Sequence, residues 1–247
     1  MNNKAINKYL KKHGFIEFKP KAVLFDMDGV LYDSMPNHAK AWKECMEKFG
    51  LTMTEEEAYQ YEGMRGVETI RIIAGRQLDR TVSDEEAADI YKEKSAIYSS
   101  FKTAPMIEGV YELQQSIKSR GWTIGIVTGS GQASLLDRIL HDFKGLVNPK
   151  VMVSAKDVTK GKPCPDPYIK GMTKANVQPW ETIVIENAPL GVRAAVAAEC
   201  FTIAVNTGPL PDSSLANEGT DLVLSTMYEV IEFLSKTFPN DGDSLSC

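Results

Sequence analysis

Along the chain, short runs that are apolar almost throughout alternate with longer stretches in which apolar residues recur every three or four positions. The short runs are "KAVLF" (21–25), "WTIGIV" (122–127), "KVMV" (150–153), "TIVI" (182–185), "FTIAV" (201–205) and "DLVL" (221–224). A strand that is apolar at nearly every residue is covered on both faces, as in a parallel sheet. Between them, "GVYELQQSIKSRG" (109–121), "ASLLDRILHDF" (133–143), "PDPYIKGMTKAN" (165–176) and "APLGVRAAVAAE" (188–199) carry the helical period, and Gly121 stands at an expected C-cap. The alternation predicts an α/β fold with a doubly wound parallel-sheet core.

The rhythm changes after the first strand. "PNHAKAWKECMEKFG", "TEEEAYQYEG", "VETIRIIAGRQLDR" and "SDEEAADIYKEKSAIYSSF" all read as helices, with no strand candidate among them. Thr54 and Ser83 are expected N-caps, each followed three residues on by a glutamate (Glu57, Glu86) at the capping-box spacing. Segment 36–104 is therefore expected to be an all-helical cap domain inserted into a core built from 15–35 and 105–236. Residues 1–14 and 237–247 are left as terminal extensions, the last of them a frayed tail.

Length and composition fit this plan. A chain of 247 residues exceeds the roughly 150 expected of one domain, as a core with an insertion would. With 43% apolar and 25% charged residues it is an ordinary globular composition. The net charge of −5, with no stripe of lysine and arginine, argues against nucleic acid or an anionic membrane as partner. Cys45, Cys164, Cys200 and Cys247 lie far apart with no C-x-x-C, so neither a disulfide framework nor a zinc site is expected, and a reducing, cytoplasmic setting is. The opening "MNNKAINKYLKKHG" has no apolar core of a signal peptide, and no apolar run approaches the ~20 residues of a membrane span. The pattern leaves the oligomeric state open, a monomer being compatible with it.

Candidate chemistry gathers after the strands. Asp26, Asp28 and Asp33 follow the first one within eight residues, a crowding of like charge that folding alone rarely requires. "TGSG" (128–131) follows the second run, "ENAP" (186–189) follows "TIVI", and "KGKPCPDP" (160–167) precedes the helix before it. In an open α/β sheet these ends converge on one edge, where ligands bind. Carboxylates, hydroxyls, amides and a lysine suit a highly charged anion together with a hard cation. Asp26, Asp28, Glu186 and Asn187 are candidate Mg2+ ligands, and Thr128, Gly129, Ser130 and Lys162 candidate holders of phosphate oxygens. Asp26, ending the strand, is the expected nucleophile, and Asp28 the expected general acid and base. Asp33 reads as a helix N-cap ahead of Pro36, and the three tryptophans as packing.

Together "DMDGVLYDS", "TGS", "KGKPCPDPY" and "VIENAPLGVRAA" resemble the four motifs of the haloacid dehalogenase superfamily, over roughly 20–235. The resemblance implies a Rossmann-like core with a helical cap that closes over the site, a phosphorylated Asp26, acid–base work by Asp28, phosphate binding by Thr128 and Lys162, and Mg2+ at Glu186 and Asn187. Within it, "DGVLYDSMPNHAKAW" is most similar to the β-phosphoglucomutase subfamily, and close to a member that hydrolyses inorganic pyrophosphate. The resemblance also implies a role in cap closure or proton transfer for His38.

Two departures bear on substrate. Asn187 stands where the family usually has aspartate, and Glu62 stands where the mutases' cap has lysine, with Gly66 at the place of their arginine and Arg65 one position away. Reversing that charge disfavours a large anionic sugar phosphate and would let Glu62 reach the metal. The expected activity is thus hydrolysis of a small phosphate substrate, with pyrophosphate first. β-Phosphoglucomutase and sugar phosphatase are the alternatives. A non-catalytic module would be expected to lose one of Asp26, Asp28 or Lys162, and a dehalogenase would not need Asp28.

Overall fold

Six parallel strands, β1 (Ala22–Phe25), β2 (Thr123–Val127), β3 (Met152–Val153), β4 (Thr182–Glu186), β5 (Phe201–Val205) and β6 (Leu222–Leu224), form one sheet in the order β3-β2-β1-β4-β5-β6. The structure, a computed structural model, describes residues 3–78 and 80–239. Helices α1 (Lys4–His13), α2 (Met35–Lys48), α3 (Glu55–Gln60), α4 (Gly66–Gln77), α5 (Asp84–Ser100), α6 (Val110–Ser119), α7 (Ala133–Asp142), α8 (Asp166–Ala175), α9 (Pro189–Ala197), α10 (Asp212–Ala216) and α11 (Met227–Thr237) complete it. Among the described residues no helix is long and apolar enough to cross a membrane.

Side chains alternate across a strand, and both sides of this sheet are covered. Val23 and Phe25 enter one cluster with Leu113, Ile139 and Leu234 of α6, α7 and α11, while Leu24 enters another with Tyr168, Met172 and Ala194 of α8 and α9. That is why the runs read as apolar throughout. The run at 150–153 is shorter than expected. A 3-10 turn over Pro149–Val151, with Asn148 accepting from the Lys150 amide, takes its first half, so only an edge pair remains.

Helices α2–α5 enclose a separate core around Trp42, Met46, Ile70, Ile73, Ile90 and Ile97. Thr54 and Glu57 form a complete capping box. At Ser83 only half of one forms, because the Glu86 carboxylate turns to Arg80 instead. Asp33 is not the N-cap of α2: Ser34 holds that position with Pro36 in the first turn, and Asp33 is exposed. Beside the crossings into these helices, the Asp33 amide donates to the Pro105 carbonyl (2.9 Å) and the Ile107 amide to that of Leu31 (3.0 Å).

The N-terminal stretch is ordered. Ala5, Ile6, Tyr9 and Leu10 share one face of α1 and pack on the main core, Tyr9 donating to the Glu199 carbonyl at 2.9 Å. At the other end α11 extends to Thr237, and the expected tail from Asn240 to Cys247 lies outside the described residues.

Candidate active site

Strand register builds the site. Phe25 is level with Ile126 on one side and Ile185 on the other, so Asp26 leaves the sheet between the ends of β2 and β4, beside Glu186. Its amide donates to the Ile185 carbonyl at 3.0 Å. Lys162, in the turn before α8, places its Nζ 2.5 Å from Asp26 Oδ1 and 2.6 Å from Glu186 Oε1. All three side chains are buried. A buried carboxylate left unpaired is strongly destabilising, and here one ammonium is shared between two. Burial pushes Asp26 upward, Lys162 pulls it back, and Glu186 and Asp28 add to the rise. Lys162 is disfavoured as a cation by burial, but its two carboxylates more than offset this and raise it.

Glu186 is fixed from every side. Its Oε1 also accepts from the Tyr168 hydroxyl (2.6 Å), and its Oε2 from the amides of Asn187 (3.0 Å) and Ala188 (3.2 Å). Gly191 leaves it this space, since a Cβ there would lie 1.8 Å from Glu186 Oε1. Glu186 is thus the partner of Lys162, with four hydrogen bonds reaching its two oxygens. The adjacent Asn187 is different: its Nδ2 donates to Glu62 (3.3 and 3.4 Å), while its Oδ1 is buried with no hydrogen-bond partner.

Asp28 begins a second chain of contacts. Its Oδ1 accepts from Ser34 Oγ (2.6 Å) and lies 3.2 Å from His38 Nε2, and His38 Nδ1 lies 2.6 Å from Lys94 Nζ. An ammonium only donates, so Lys94 donates to Nδ1 and the His38 Nε2–H donates to Asp28. Burial would raise Asp28, yet His38, Ser34 and Lys94 hold it below the usual carboxylate range. His38 is lowered by burial and then by Lys94, and Lys94 itself is lowered by burial to about 8. His38 stacks on Tyr98 at 4.0 Å, and Lys94 stands over the Trp42 ring at 5.0 Å. The sequence reading passes over Lys94, one of two lysines on an acidic helix, and Ser34, whose place it gives to Asp33. Nothing local marks either one.

Thr128 is buried at the end of β2, its Oγ1 accepting from the Ser130 amide at 3.0 Å, which leaves its own hydrogen to donate. The 61–66 loop lies over these elements. Its Glu62 side chain meets Asn187, and a Cβ on Gly129 would stand 3.0 Å from the Gly63 carbonyl. Arg65 does not enter the site: Nη1 donates to the Thr159 carbonyl at 2.9 Å, and the side chain is 3.8 Å from Glu68. It ties the helical layer to the loop before Lys162. Between them is a partly open chamber of about 70 Å³, lined among others by Asp26, Asp28, His38, Glu62, Lys94 and Ser130. Glu62 is pushed well above the usual range, first by burial, then by Asp26, Asp28 and Glu186.

The family profile of haloacid dehalogenase-like hydrolases matches residues 23–205. The chain belongs to this family. Hexitol phosphatase A of Escherichia coli is 31% identical over 211 residues, covering 85% of the chain and 93% of the relative. β-Phosphoglucomutase of Bacillus subtilis is 26% identical over 219 residues, covering 85% and 94%. Among solved structures, a Bacteroides vulgatus protein provisionally named β-phosphoglucomutase is 46% identical with a TM-score of 0.91, covering 96% of this chain and 98% of that one. The chain is thus an enzyme of the phosphatase and phosphomutase group of haloacid dehalogenase-like hydrolases.

Charge around the chamber is unbalanced. Among the described residues Asp26, Asp28, Glu62 and Glu186 have the cations Lys94 and Lys162 beside them, so with all of these ionised two positive charges are lacking. Among the described residues no three of His, Cys, Asp or Glu form a metal cage. The oxygens on offer are instead Asp26, Asp28, Glu62 and the unpartnered Oδ1 of Asn187. Such a donor set fits Mg2+, which takes hard oxygen ligands, keeps several waters and needs only one or two carboxylates.

Proposed function

We propose that this enzyme is a Mg2+-dependent phosphohydrolase that works through a phosphorylated Asp26. The observation carrying the reading is the shared ammonium of Lys162, which gives a buried carboxylate a counter-charge beside the chamber. Asp26 attacks phosphorus, an Asp26–phosphorus bond forms, and the bond to the leaving oxygen breaks. Asp28 delivers a proton to that oxygen. The proton is drawn through His38 from Lys94, the group of the chain that holds one near neutral pH. Water then attacks the phosphorus, Asp28 accepts its proton, and phosphate leaves Asp26. Thr128, the amide of Gly129, the side chain of Ser130 and Lys162 hold the phosphate oxygens. Asp26, Asp28, Asn187 and Glu62 would hold the Mg2+, which when bound offsets charge on the phosphate and lets the anionic nucleophile approach.

The chamber holds a handful of waters at the ~10–15 Å³ each needs, room for an anion of pyrophosphate size. Glu62, a carboxylate where a sugar phosphate's second anion would call for a cation, favours the same side. Glu62 is thus the feature that supports pyrophosphate as substrate. Hydrolysis of a sugar phosphate, or its mutation, is favoured instead by the relatives, whose names speak of hexitol phosphate and phosphoglucose. Phosphate release over pyrophosphate, hexose phosphates and nucleotides, with and without Mg2+, decides. Turnover of a hexose phosphate far above pyrophosphate would overturn the first reading, and conversion of β-glucose 1-phosphate to glucose 6-phosphate would establish the mutase.

A further inference from the structure

Besides Lys162, one other side chain grips Glu186. Tyr168, on the first turn of α8, is fully buried, with its hydroxyl 2.6 Å from Glu186 Oε1 and its ring 5.2 Å from Lys162 Nζ. We propose that Tyr168 is a positioning residue: by occupying one acceptor direction of Glu186 Oε1, its hydroxyl sets how Lys162 divides its hydrogen bonds between Glu186 and Asp26. The proposal rests on the reading above for what Lys162 does to phosphate, but the arrangement is a property of the protein without substrate.

Glu186 Oε2 is filled by two backbone amides, so only Oε1 can change partners. A carboxylate oxygen has about two lone-pair directions, and those of Oε1 go to Tyr168 and Lys162. Without the hydroxyl, Lys162 alone answers the charge on Oε1 and is drawn toward Glu186, away from Asp26. Packing does not account for the hydroxyl. The ring contacts with the Leu24, Met172 and Val184 cluster, and the ring's attraction for the Lys162 cation, would all be kept by phenylalanine. What tyrosine adds is a buried polar group whose one hydrogen bond ends on the partner of the Asp26 lysine.

The test compares the full chain with Tyr168→Phe, Glu186→Gln and the double variant. The first readout is the ammonium NMR signal of Lys162 in 15N-lysine-labelled protein, assigned by its loss in Lys162→Arg. Tyr168→Phe is expected to move that signal in the direction that Glu186→Gln moves it, with no further change in the double variant, because the two act through one group. The second is Mg2+-dependent turnover of pyrophosphate. Tyr168→Phe is expected to lower kcat about tenfold, the effect typical of a residue that orients a catalytic group, with KM within about twofold. A Lys162 signal that Tyr168→Phe leaves in place, or losses of kcat that multiply in the double variant, would overturn the proposal. Should Glu186→Gln not fold, the signal in Tyr168→Phe alone decides. Absence of turnover in the unsubstituted enzyme would count against the proposed function, and the ammonium signal would still decide for or against Tyr168.

Discussion

Asn187 lies over the bare face of Gly29: a Cβ on that glycine would sit 1.9 Å from Asn187 Nδ2, at a backbone φ of +74°. The glycine in "DMDG" is thus needed twice, for a left-handed turn and for the close approach of the Asn187 side chain, whose Oδ1 is buried without a hydrogen-bond partner. Gly29→Ala is expected to destabilise the fold by about 1–3 kcal/mol and to lower phosphate release at least tenfold. Denaturant titration and steady-state kinetics check both, and a fully active alanine variant would show that Asn187 can lie elsewhere.

Removing the shared cation should be severe. Lys162→Met leaves Asp26 and Glu186 buried with no counter-charge, at about 3–5 kcal/mol. The loss has a sign with pH. Burial raises Asp26 in the fold, and without Lys162 the rise is greater, so the penalty shrinks as acid supplies the missing protons. Urea titrations at pH 8 and pH 5 should therefore show a larger gap between variant and parent at the higher pH.

Lys94 stands at the head of the proton chain to Asp28 and is lowered to about 8. A wild-type rate profile is expected to fall on the alkaline side with an inflection in that region. Lys94→Met is expected to lower kcat about 10²-fold, within the range for a lost acid–base group, and to abolish that inflection. An unchanged alkaline limb would remove Lys94 from the chain.

Mg2+ should raise the melting temperature, and chelation should lower it. Asn187→Asp adds a carboxylate to the donor set and removes the donor that now faces Glu62. Its melting point is expected to drop below the parent's without metal and to gain more from added Mg2+. Thermal melts over a Mg2+ series read both, and identical metal responses would argue that Asn187 is not a ligand.

Away from the site, burial raises Asp221 to about 6, although it accepts from the Thr202 amide. An acid raised on folding stabilises below its unfolded value and loses that contribution as pH rises through the folded one, here between about 4 and 6. Asp221→Asn keeps the amide contact and is expected to gain up to about 3 kcal/mol above pH 6, with little change at pH 4. Equal gains at both values would point to another cause.

Much of the fold was written in local pattern. The apolar runs at 182–185 and 201–205 and the helices between strands lie where periodicity put them, because each strand is sandwiched and each helix shows one apolar face to the sheet. Helix α1 was legible too, in the spacing of Ala5, Ile6, Tyr9 and Leu10 between Asn3 and Gly14, but a lysine-rich start drew attention to its charge rather than its period. Arg65 was misplaced for a different reason. Its position next to Gly66 says nothing about which way a long side chain turns, and a bare Gly161, where a Cβ would meet Arg65 Cγ at 2.7 Å, gives it a seat on the outer loop.

The sequence by itself determined the layered parallel sheet, the inserted helices and the strand-end groups Asp26, Asp28, Thr128, Lys162 and Glu186, since period and chain order are local properties. Only the tertiary structure decided which of these groups touch. It gave Glu186 to Lys162, turned Arg65 outward, left the buried Asn187 Oδ1 without a partner, and joined Lys94 to Asp28 through His38 across more than sixty residues of chain. Those pairings depend on strand register and on how the helical layer seats on the sheet, and no stretch of sequence short enough to carry a motif contains either one.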